Sequence, residues 1–105
     1  MIVVRDIFDV DRDKLREAEP LFRELQAAGT QVGLGPVRVM VDRTDAYFGR
    51  PQERGRIVVE CEFSTTESFS EKSYAAMDDD RLRAAWKAVK PVVHQARREI
   101  LDAIG

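Results

Sequence analysis

Arg56-Ile-Val-Val-Glu-Cys-Glu-Phe63 is the stretch that decides the fold. Its side chains alternate, so Ile57, Val59, Cys61 and Phe63 share one face of a strand while Val58, Glu60 and Glu62 share the other. Upstream, Val37-Arg-Val-Met-Val-Asp42 repeats the pattern, with Val37, Val39 and Val41 on one side and Arg38, Met40 and Asp42 on the other. Joined by a loop from about Thr44 to Gly55, the two runs make a hairpin whose apolar face has to meet helices. The loop is long for a hairpin and carries Tyr47 and Phe48 at its tip, which reads as a partner-gripping arm or a simple flap.

Before the hairpin, residues 2–8 are β-branched and aromatic with apolar side chains at odd and even positions, which predicts a strand covered on both faces. Leu15, Ala18, Phe22 and Leu25 then recur at helical spacing, predicting a helix over 11–28 capped by Asp11 or Asp13 and ended by Gly29 at C′. Pro20 removes a backbone donor, so a kink or restart is expected near Glu19.

Past the hairpin, Ser64 with Glu67 and Ser68 with Glu71 both fit the capping box, and a helix is expected through Tyr74 to Met77. Asp78-Asp79-Asp80 interrupts it. A second helix from about Arg81 carries Leu82, Trp86, Val89 and Val93 on one stripe, with Pro91 marking its end or a kink and His94 near the end of the helical stretch. The tail from Ala96 has good helix formers and also alternates at Arg98, Ile100, Asp102 and Ile104, so pattern leaves strand and helix both open.

Composition narrows the classes. At 105 residues and 44% hydrophobic content, residues 1–105 form one domain that buries roughly two thirds of its unfolded surface and needs no disulfide or metal. Cys61 is the single cysteine, and Met1 leads straight into Ile-Val-Val without a signal-peptide pattern, so a reducing, cytoplasmic setting is expected. The longest apolar run, Met1 to Val4, falls far short of the roughly 20 residues that span a bilayer, so no membrane partner is expected. A net charge of −2 argues against nucleic acid, and the Arg50, Arg54 and Arg56 cluster, interrupted by Glu53, reads as a solvated loop.

The order β1 (2–8), α1 (11–28), β2 (36–42), β3 (56–63) and a broken second helix resembles the dimeric α/β-barrel superfamily, and within it the NIPSNAP-like and stress-responsive barrel domains. The resemblance rests on that order, on the passage from Val-Val-Glu-Cys-Glu-Phe63 through Ser-Phe to Met-Asp-Asp-Asp-Arg-Leu82, on Trp86 beyond it, and on a tail similar to the family's closing strand. It implies an α+β, ferredoxin-like β-α-β-β-α-β fold with an antiparallel sheet, a fourth strand around Arg97 to Ala103, and a homodimeric α/β barrel with a cavity beside each sheet. An independent argument agrees: helices on one face leave the other open, with Met40 and Val58 among its charges, and self-association would cover them; the alternative is a monomer whose face, with Arg38, Asp42, Glu60 and Glu62, is solvated.

Residues able to carry chemistry are few. His94, the only histidine, reads as structural, with a rival reading as a base or haem ligand, because haem-degrading members of the superfamily use a second-helix histidine with a tryptophan and an asparagine. Trp86 and His94 match by type, but the chain contains no asparagine, so Trp86 is assigned to the core and no haem or other cofactor is expected. The three aspartates suit a helix N-terminus better than a metal, for which no site is expected, and Cys61 reads as packing.

Arg38, Met40, Glu60 and Glu62 share the second sheet face and, with Tyr47, are the candidate ligand-binding residues; Glu60 joins His94 as a weak catalytic candidate. Covered by a partner sheet, a carboxylate there has to be paired, and Arg38 is the expected neighbour of one of the glutamates. The expected function is small-molecule binding by a homodimer, or a cofactor-independent enzyme on a small aromatic or carbonyl substrate. The alternatives are a non-catalytic binding or assembly module, and a haem-degrading monooxygenase.

Overall fold

The structure is a computed structural model that describes residues 1–42 and 54–104. Tyr47, Phe48 and Arg50, in the loop between the hairpin strands, lie outside the described residues. The elements run β1 (Ile2–Asp11), α1 (Leu15–Gln31), β2 (Arg38–Asp42), β3 (Arg54–Phe63), α2 (Thr66–Ala76), α3 (Asp80–Val89) and β4 (Val93–Asp102). The strands pair antiparallel in the order β2-β3-β1-β4, the ferredoxin-like arrangement that the resemblance implies.

Cross-strand partners share a face, which sorts every strand residue. Ile2, Val4, Phe8 and Val10 stand opposite Phe63, Cys61, Ile57 and Gly55 and point to the helices, as alternation in β2 and β3 requires. Against them α1 lays its buried stripe of Ala18, Phe22, Leu25 and Ala28, and α3 lays Leu82, Ala85 and Val89. Phe8 sits between Phe22 and Trp86, with ring centroids at 5.1 and 5.8 Å. Burying each large apolar side chain contributes about 1.5–3 kcal/mol, enough to hold the two long helices on the sheet.

Several boundaries differ from the sequence expectation. A 3₁₀ turn over Arg12–Lys14 precedes α1, and neither it nor α1 is capped by an aspartate side chain. The helix runs through Pro20 without a restart, because the missing N–H costs only the Arg16 carbonyl its donor while the stripe on the opposite side stays packed. Gly29 is not the terminator: it lies inside α1, packed against Val37, and the helix ends two residues later. Gly33 takes the left-handed conformation at φ 86° and donates to Thr30 O at 3.2 Å while Leu34 donates to Gly29 O at 3.1 Å, the paired bonds of a Schellman motif.

Helix α2 is capped by Thr65, whose hydroxyl accepts from Ser68 N at 3.0 Å, and by neither of the serines the capping-box pattern selects. The tail is a strand, and it begins at Val93, earlier than the family's closing strand implies. His94 therefore stands in β4 and not at a helix end. It is the extra residue of a bulge, since Asp9 pairs with Gln95 but Val10 pairs with Val93. Pro91, inside a 3₁₀ turn over Lys90–Val92, ends the helical stretch and lets β4 start at once.

Candidate functional site

On the face away from the helices, one row of side chains crosses all four strands. Arg38, Glu60, Arg5 and Glu99 are successive cross-strand partners, alternating in charge. Arg38 Nη2 donates to Glu60 Oε1, Arg5 Nε donates to Glu60 Oε2 at 3.0 Å, and Arg5 reaches Glu99 at 3.8 Å. Glu60 is the one charged residue among the described residues that is buried, at 4% exposure. Burial alone would push its carboxyl up, but hydrogen bonds from Arg5 and Arg38, with their charges, outweigh this and hold it below the ordinary carboxylate value. The neighbouring row is apolar: Met40, 42% exposed, faces Val58, which faces the buried Ile7.

The other face holds the space. The helix-side core is divided into a large cluster around Phe22 and Ile57 and a small one of Ile2, Val4 and Phe63. Between them lies a cavity of about 730 Å³, lined from the large cluster by Leu25, Val37, Val59 and Leu82 and from the small one by Val4 and Phe63. It exists because α2 fills so little: only Ala76 of that helix is buried. Phe69, Ser73, Ala76 and Met77, one face of α2 by their spacing, form a wall of the cavity, with Phe69 also packed on Phe63 at 5.1 Å between ring centroids. Trp86 forms part of another wall, so it is both a core neighbour of Phe8 and a cavity residue.

Polar groups in this cavity are sparse and placed. Asp6 and Arg98, direct partners across β1 and β4, form a two-point pair with Nε to Oδ1 at 2.7 Å and Nη2 to Oδ2 at 3.0 Å. The Arg98 guanidinium also lies over the Phe69 ring, 5.5 Å from its centroid. Cys61 borders the same space; burial, with a smaller push from Asp6, raises its thiol to about 11, so it is a protonated, weakly nucleophilic group at neutral pH. Arg83, Lys87 and Lys90 line the cavity from the α3 side.

The sequence-derived candidates fall into separate places. Arg38 and Glu60 are joined, as expected of a covered carboxylate, and Met40 and the exposed Glu62 share their face. That whole set lies across the sheet from the cavity, whose lining contains none of them. His94 is exposed and is not a cavity residue either. Asp79 caps α3, its Oδ1 accepting from Leu82 N at 2.8 Å, which explains an aspartate at the helix start. Among the described residues no group of three or more histidine, cysteine, aspartate or glutamate side chains is arranged to hold a metal. Nothing in the sequence pattern marks Arg5, Asp6 and Arg98 as site residues. Arg5 shares a strand face with Val3 and Ile7, but its pairing with Glu60 needs the β1–β3 register, and Asp6–Arg98 needs a contact 92 residues apart.

This fold recurs in solved structures. A crystal structure of an antibiotic biosynthesis monooxygenase matches with a TM-score of 0.74 at 17% identity, covering 100% of both chains. A NIPSNAP family protein from Agrobacterium tumefaciens gives 0.75 at 20% identity, covering 98% of this chain and 92% of its own. An uncharacterized NIPSNAP domain protein from Burkholderia xenovorans gives 0.74 at 12%, covering 99% and 95%. No protein-family model and no curated protein sequence matches the chain. The chain thus has an α+β, ferredoxin-like fold, the fold also seen in NIPSNAP family and antibiotic biosynthesis monooxygenase structures. At these identities the likeness defines architecture, and function has to be argued from the site.

Proposed function

We propose that this protein binds a small molecule in the cavity beneath α2 and works as a homodimer associated through the open sheet face. The observation that carries the binding reading is the cavity itself, about 730 Å³ of space with mostly apolar walls and a few placed polar groups, in the size range of pockets that enclose drug-sized ligands. The dimer reading rests on Met40 and Val58 beside a neutralised row of charges, a surface suited to a second copy. Binding is preferred to catalysis because the carboxylate and the thiol of the cavity are committed: Asp6 is held by Arg98, and the Cys61 thiol, pushed up to about 11, is protonated. Arg38 and Glu60 then serve the dimer face, and the ligand role passes to residues under α2.

N-phenyl-1-naphthylamine, a neutral apolar fluorophore, tests the cavity. It should bind saturably at one per chain with energy transfer from Trp86, the only tryptophan. Ser73→Phe, which places a ring in the cavity, should abolish this while leaving the far-ultraviolet circular dichroism unchanged. Non-saturable binding, or binding indifferent to Ser73→Phe in a folded variant, would refute the reading.

A further inference from the structure

The chain carries a net charge of −2, yet among the described residues the cavity is lined by four cationic side chains, Arg83, Lys87, Lys90 and Arg98, and by one carboxylate, Asp6. The two arginines are engaged, Arg98 with Asp6 and Arg83 with Asp80 at 2.6 Å. Lys87 and Lys90 have no ion-pair partner among the described residues. Positions 83, 87 and 90 follow helical spacing, so α3 and the turn after it present one basic stripe along the side of a space whose depth is apolar.

Resting on the reading of this cavity as a ligand site, we propose that its ligand is an amphipathic organic acid: an apolar body among Phe63, Phe69 and Trp86, and a carboxylate head on Lys87 and Lys90. Two features exclude the opposite polarity. A cationic head would meet an uncompensated excess of positive charge, and Asp6, the one carboxylate in the lining among the described residues, is already paired at two points. A neutral apolar ligand would fill the walls but leave the lysines without any role. Lysine suits the task because its ammonium reaches out on a flexible apolar stem, covering apolar surface while holding the charge at the mouth.

The test is displacement of N-phenyl-1-naphthylamine by three ligands sharing one body: decanoate, decan-1-ol and decyltrimethylammonium. Decanoate should displace at roughly a tenfold lower concentration than the alcohol, and the ammonium should be the weakest. The double variant Lys87→Gln/Lys90→Gln, two exposed positions, should remove the advantage of the acid and leave the alcohol unchanged. Rising salt should narrow the gap in the wild type. Equal displacement by acid and alcohol, or an advantage that survives the double variant, overturns the acid assignment while the cavity reading stands. Failure of the fluorophore to bind at all removes the cavity reading and this inference with it.

Discussion

Arg5 on β1 and Glu60 on β3 are direct cross-strand partners, with Arg5 Nε donating to Glu60 Oε2 at 3.0 Å on the sheet face opposite the helices. Because Arg38 approaches the other carboxylate oxygen from β2, a single glutamate ties three strands together by side chains alone. Its carboxyl is held below the ordinary value, so this contribution is fully present above the unfolded-state pKa near 4.5 and is lost as pH falls through the lower folded-state value.

Glu60→Gln should therefore lower stability at pH 7 and flatten the acid limb of the stability profile. The arginine side chains are 37% and 61% exposed, so the loss should be nearer 1–2 kcal/mol, about what a partly screened pair contributes, than the value for a fully buried one. Urea unfolding of both proteins between pH 3 and pH 7 checks this, and parallel profiles would contradict it.

Met40→Asp should weaken self-association. Light scattering of the wild type at micromolar concentration should give about twice the 12.0 kDa chain mass, and the variant should dissociate at concentrations at least about tenfold higher than the parent. A monomeric wild type would remove the dimer reading. An unaffected dimer would place its interface elsewhere.

Cys61 should react slowly. With its pKa raised to about 11, only on the order of one thiol in a thousand is ionised at pH 8, so labelling by a disulfide reagent should run roughly a hundredfold slower than with a small free thiol. The rate should climb steeply with pH. A bound cavity ligand should slow it further, since Cys61 borders the cavity. Rapid labelling at neutral pH would show that the thiol is not held in this environment.

Much of the architecture was readable in the chain, and the reason is periodicity. In β2 and β3 one face meets helices and the other does not, so alternation alone sorted Val37, Val39, Ile57 and Val59 from Arg38, Met40 and Glu60, and the need to compensate a covered charge paired Arg38 with a glutamate. Periodicity fails where an element buries little. The edge strand β4 is almost wholly exposed on both faces, so nothing in Val93–Asp102 had to alternate, and the helical pattern before it gives no sign that His94 stands in a strand. The cavity is a property of tertiary structure alone. It depends on how far α2 stands from the sheet, on a register that brings Asp6 to Arg98, and on α3 turning Lys87 and Lys90 toward the same space; sequence spacing sets which residues share a face, but only packing decides what that face encloses.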